Sequence, residues 1–82
     1  MALITYWGKL ADLVGTASET HTLPEDVRDT QTLRRWLDGE KSGHGVLMDP
    51  ANRIAVNDEI VAEPAPVSDQ DQLAFLPPVG GG

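Results

Sequence analysis

No cysteine occurs in this 82-residue chain, so neither a disulfide nor a thiolate zinc site can hold it together, and the fold must rest on buried apolar side chains. The same absence excludes a Cys nucleophile; any sulfur chemistry has to use sulfur brought from outside. One small domain fits this length, and a catalytic domain beside a substrate domain does not. Apolar residues make up 40% of the chain, enough for a modest core and too many for a disordered segment. Lys plus Arg is 6 against 13 for Asp plus Glu, a formal net charge of −7, and the cations are scattered as Lys9, Arg28, Arg34, Arg35, Lys41 and Arg53. A nucleic-acid partner needs a basic stripe that is missing here, whereas a basic protein partner suits the charge. No apolar run approaches the ~20 residues of a membrane-spanning helix, and Met1 to Trp7 has no basic lead. The expectation is a cytoplasmic protein with neither membrane nor nucleic acid as partner.

Ala2 to Trp7 is a β-branched and aromatic run closed by Gly8, which predicts a first strand. Lys9 to Val14 sets Leu10, Leu13 and Val14 at i, i+3 and i+4, predicting one or two helical turns stopped by Gly15. A weaker strand is expected over Ser18 to Leu23, before Pro24. Asp29 or Thr30 caps the main helix, whose apolar stripe is Leu33, Trp36 and Leu37, with Arg34 and Arg35 outward and Gly39 as its stop. A polar loop over Glu40 to Gly45 and the segment Val46-Leu47-Met48 follow. Arg53 to Val56 and Glu59 to Ala62 then read as a hairpin around Asn57-Asp58, two residues that tolerate positive φ. Leu73 to Leu76 is the last strand.

One helical stripe covers one face of a sheet, which makes this a two-layer α+β domain with the other sheet face open. The first and last strands nevertheless carry apolar residues in both phases: Leu3 and Trp7 against Ile4 and Tyr6, and Leu73 and Phe75 against Leu76. One set therefore faces outward, as a partner-binding patch would.

Enzyme motifs are nearly absent. His21 and His44 have no second imidazole or carboxylate at ligand spacing, so no metal site is expected. Asp69 and Asp71 sit in a turn with nothing nearby in sequence to desolvate them, and Ser18 and Ser42 lack the sharp-turn context of a nucleophile. The informative segment is Leu73-Ala-Phe-Leu-Pro-Pro-Val-Gly-Gly-Gly82. Pro77 and Pro78 stop the sheet, so residues 1–78 read as the folded domain and Val79 to Gly82 as a flexible tail. Gly80, Gly81 and Gly82 are bare backbone that can thread a channel too narrow for other residues, delivering the Gly82 carboxylate to a partner's active site. A free carboxylate is a poor electrophile; use at this position implies prior activation, most simply as an acyl-adenylate made from ATP by a separate enzyme. No cofactor is bound by the chain itself in this reading.

Four segments resemble those of the small subunit of molybdopterin synthase, a ubiquitin-like sulfur carrier with the β-grasp fold: Leu10-Ala-Asp-Leu-Val-Gly15, Leu33-Arg-Arg, Ala55-Val-Asn57 and above all Phe75-Leu-Pro-Pro-Val-Gly-Gly-Gly82. The likeness covers nearly the whole chain and implies a mixed sheet of four to five strands with one main helix packed on one face. It further implies that Gly82 is adenylated by a ubiquitin-activating-like enzyme and converted to a thiocarboxylate with sulfur from a donor protein. Val79, Gly80 and Gly81 would thread into the large synthase subunit, which holds the catalytic groups, in a heterotetramer. Sulfur would pass to cyclic pyranopterin monophosphate to build the dithiolene of the molybdenum cofactor. Trp7, Ile60 and Leu76 match the family's docking patch, and Phe75, Pro77 and Pro78 are expected to join it. The chain departs from the family pattern at Gly80, in the polar stretch Asp38 to Gly45, and in the bulk of Trp7. Two other outlets for the same activation chemistry stay open: a protein modifier ending as an isopeptide on a lysine, and a sulfur carrier for thiamine, cysteine or tRNA thiolation.

Overall fold

A computed structural model describes residues 1–41 and 45–78. The elements are β1 (Ala2–Tyr6), α1 (Lys9–Val14), β2 (Ser18–His21), α2 (Thr30–Lys41), β3 (Arg53–Val56), β4 (Glu59–Ile60) and β5 (Gln72–Leu76). They build one five-stranded sheet in the order β2-β1-β5-β3-β4. The last strand lies in the middle, parallel to the first with Ile4 beside Leu73 and Tyr6 beside Phe75, and antiparallel to β3. The sheet is mixed, with α2 on one face.

Strand parity decides the core. Ala2, Ile4 and Tyr6 from β1, Ile54 from β3, and Leu73 and Phe75 from β5 are buried together with Leu10, Leu33, Leu37 and Leu47. At roughly 1.5–3 kcal/mol for each large apolar side chain, these residues carry the hydrophobic stabilisation that a chain without cross-links needs. The hairpin forms as expected: Asn57 at φ 51 and Asp58 at φ 70 make the two-residue turn with the positive dihedrals of type I′. Its returning strand covers only Glu59–Ile60.

Asp29, of the two candidate caps, starts α2. Its Oδ1 accepts the N–H of Thr32 at 2.8 Å, and Thr32 Oγ1 accepts the Asp29 N–H at 3.2 Å, a reciprocal box that satisfies two orphan donors. That bond from the Thr32 N–H, ahead of the one from the Thr32 hydroxyl, holds the Asp29 carboxyl below its usual range. The helix runs past Gly39 to Lys41, contrary to the expected stop. A glycine inside a helix costs about 1 kcal/mol, and here Lys41 Nζ is tied to Glu19 Oε1 of β2 while Asp38 accepts the N–H groups of Gly45 and Leu47.

Arg34 does not point outward as its neighbour Arg35 does. It is 5% exposed, with Nε and Nη2 on the two oxygens of Glu63 at 2.8 and 2.6 Å and further bonds to the carbonyls of Leu47, Asp49 and Asn52. One residue on from Leu33 is only 100° around the helix, so a wide stripe takes Arg34 in, and its fork fastens α2 to the segment leading into β3.

Candidate docking face and tail exit

The register lines up the uncovered sheet face row by row. Ser18, Thr5, Ala74, Ala55 and Ile60 form one row across all five strands. Leu3 and Gln72 lie on one side of it, Leu76 and Arg53 on the other. Trp7 continues β1 in phase with Leu3 and Thr5, its N–H donating to the Phe75 carbonyl at 3.0 Å. Trp7 is 56% exposed and Ile60 54%, and Leu76 is half-buried. The apolar excess read from the strand phases thus sits on one open surface, with Trp7, Ile60 and Leu76 all on it.

Phe75 is not part of that surface. It is fully buried, stacked on Tyr6 with ring centroids 5.8 Å apart and lying under the Arg34 guanidinium. Parity gives the reason: Phe75 shares the inward phase of Leu73, so Leu76 is outward and Phe75 is core.

Pro77 leaves the centre of the sheet against Gly8. A Cβ on Gly8 would stand 3.3 Å from Pro77 Cγ, a crowded contact, and Gly8 has φ +56, a backbone conformation that favours glycine here. Pro78 is exposed beyond it. Val79, Gly80, Gly81 and Gly82, and likewise Ser42 and His44, lie outside the described residues.

A family model described as the ThiS family matches residues 4–82. The chain belongs to that family. It is 32% identical over 88 residues to the human molybdopterin synthase sulfur carrier subunit, with 96% of this chain and 91% of that protein covered, in agreement with the resemblance read from the sequence. Among solved structures it is similar to the small archaeal modifier protein 1 of Haloferax volcanii, with a TM-score of 0.75, 20% identity, and 95% of this chain and 97% of that chain covered. Subunit 1 and 2 of the molybdopterin-converting factor of Helicobacter pylori were solved as a protein–protein complex, and the matching chain there has a TM-score of 0.60 and 24% identity, with 99% and 97% covered. The ubiquitin-like β-grasp fold of these relatives is the fold of this chain.

Several titratable groups of this ThiS-family chain serve the fold. Glu19 gathers the Tyr6 hydroxyl at 2.8 Å, Lys41 Nζ, and His21 Nε2 at 3.3 Å. Burial acts to raise the Glu19 carboxyl, but the hydrogen bonds from Lys41 and Tyr6, with the His21 imidazole beside them, outweigh it and leave the group below its ordinary value. The same arrangement holds the Tyr6 hydroxyl far above the usual phenol range, through burial first and then its bond to Glu19. His21 packs edge-on against Trp36, their rings 5.2 Å apart. Asp69 accepts the Leu23 N–H at 2.8 Å and pairs with the N-terminal ammonium at 3.1 Å, and Asp71 accepts from Asn57 Nδ2 and the Ser68 N–H. These are turn-building carboxylates, as their sequence context indicates. Among the described residues no group of three or more His, Cys, Asp or Glu is placed to hold a metal, and no helix is long and apolar enough to cross a membrane.

Sequence reasoning missed Arg53. It ends the outward row beside Leu76, on the side of the tail exit opposite Trp7. The phase of β3 was enough to find it: Ile54 and Val56 face inward, so Arg53 and Ala55 face outward.

Proposed function

We propose that this chain is the sulfur-carrier subunit of a molybdopterin synthase. The observation that carries the reading is the junction at Pro77: the central strand of the sheet hands the chain to Pro77-Pro78 and the Val79-to-Gly82 sequence at the border of an open apolar face. A partner that grips the face is thereby positioned to receive the tail. The name of the human relative and the complex from Helicobacter pylori support a large synthase subunit as that partner.

In this reading the Gly82 carboxylate attacks the α-phosphorus of ATP on a ubiquitin-activating-like enzyme, and pyrophosphate leaves. Sulfide-level sulfur released by a donor protein then attacks the acyl carbon, AMP leaves with its bonding electron pair, and loss of the S–H proton gives the thiocarboxylate. Threaded into the large subunit, the thiocarboxylate sulfur attacks a side-chain carbon of cyclic pyranopterin monophosphate and displaces an oxygen there, and water then cleaves the acyl–sulfur bond so that the sulfur stays on the pterin and the tail departs as the carboxylate; two such deliveries complete the dithiolene. The glycines keep the arm slim, and the catalytic groups belong to the partner.

The intact mass of the full chain, before and after incubation with ATP, the activating enzyme and a sulfide source, tests this. A gain equal to the exchange of one oxygen for one sulfur at Gly82 is expected, together with complex formation with the large subunit. The likeness to a small archaeal modifier protein favours isopeptide formation as the second reading. Conjugate ladders that vanish when Gly82 is deleted, with no thiocarboxylate, would establish it instead.

A further inference from the structure

Resting on the proposed docking to a large synthase subunit, we infer that Arg53 is the polar anchor of that contact, and that it takes a carboxylate of the large subunit at the mouth of the channel the tail enters. The tail leaves from β5, and β5 is flanked by β1 and β3. Whatever surface surrounds the entering tail must therefore cover the residues on either side of Leu76, which are Trp7 and Arg53. An aromatic ring and a guanidinium are the side chains most often found at the energetic centre of an interface.

Arg53 is exposed, and among the described residues its side chain makes no hydrogen bond or ion pair. Glu63 senses the charge of Arg53, but both oxygens of that carboxylate are taken by Arg34. Among the described residues the five donors of Arg53 are unspent. The other outward positions of the register, Leu3, Thr5, Ser18, Thr20, Ala55, Ile60, Gln72, Ala74 and Leu76, are apolar or neutral, so Arg53 is the charged member of the face. A guanidinium desolvated inside an apolar contact without a counter-charge weakens binding, whereas one held bidentate by a carboxylate fixes the angle of approach. The chain as a whole carries −7, which steers it towards a basic partner. Close to the tail exit the sign is reversed, and a partner surface must match this by placing an acid inside its basic surroundings. That pattern selects one partner and one orientation more sharply than an apolar patch does.

The test is calorimetric titration of the complete chain into the large synthase subunit, at low and high salt, for wild type, Arg53→Met and Arg53→Lys, with thermal melts of each. The methionine keeps the apolar stem, and the lysine keeps the charge without the fork. Melting should be unchanged, as expected for an exposed residue. Arg53→Met should weaken binding by roughly 30-fold or more, the loss for truncating one partner of a buried charge pair, and should flatten the salt dependence. Arg53→Lys should fall between. Binding by Arg53→Met within about threefold of wild type, with the same salt dependence, overturns the anchor while leaving the docking intact. A wild-type chain that does not bind the large subunit overturns the functional reading and the anchor with it.

Discussion

Arg34→Met offers the sharpest test of how this small domain is held together. The arginine carries two bonds to Glu63 and one each to the carbonyls of Leu47, Asp49 and Asn52, and those to Leu47 and Asn52 are buried. Methionine replaces the aliphatic stem but removes the guanidinium that lies over Phe75 and leaves two buried carbonyls without a donor, each costing about 1–3 kcal/mol. Breaking a buried charge pair costs about 3–5 kcal/mol, a count that overlaps with the first. Glu63 retains 24% exposure and can rehydrate, which offsets part of the loss. The expected destabilisation is about 3 kcal/mol, or some 12–24 °C in melting temperature for a domain of this size. The pair also sets an acid signature. The bond to Arg34, against a smaller opposing effect of burial, holds the Glu63 carboxyl below its ordinary value of 4.5. A depressed carboxyl contributes stability above its unfolded value, and that stability is lost as pH falls through the folded one. Wild type should therefore lose stability more steeply than Arg34→Met as pH drops below 4.5. Denaturant melts of both proteins across that window measure it. A loss under about 1 kcal/mol at neutral pH, or parallel acid profiles, would refute the fastening role.

Ile60→Asp, on the outward row, should leave unfolding free energy within about 1 kcal/mol of wild type yet weaken binding to the large subunit at least tenfold or so by titration; loss of the fold would mean that Ile60 is core. Phe75→Ala should cost about 3–5 kcal/mol in a denaturant melt, whereas a neutral change would return Phe75 to the docking surface. Gly8→Ala forces a side chain into a positive-φ position against Pro77 and should cost about 1–3 kcal/mol; a melting temperature equal to wild type would show that Pro77 yields freely.

Local chemistry made most elements legible. The Asn57-Asp58 turn, the Asp29 cap and the α1 boundaries all follow from a residue and its neighbours within four positions, and the structure places them where the sequence puts them. What failed was long-range. Gly39 reads as a stop until Lys41 is seen tied to Glu19 of β2, 22 residues away in sequence. Arg34 reads as solvent-facing until the carboxylate that receives it appears 29 residues on. At the candidate site, alternation alone separated inward Phe75 from outward Leu76, and a stricter use of the two-residue period would have placed both, and Arg53 as well. The pairing of the first strand with the last carries no local signal, yet it governs the site most. Because β5 is bonded to β1 on one side and β3 on the other, Leu76 cannot swing without breaking two ladders. The sheet therefore holds the chain fixed up to Leu76, and the freedom a carrier arm needs can begin only after the Gly8 contact at Pro77. For the proposed function the central position matters because Trp7 and Ile60 lie on a sheet whose middle strand is tied on both sides, so the docking face keeps one shape up to the point where the chain passes out at Pro77.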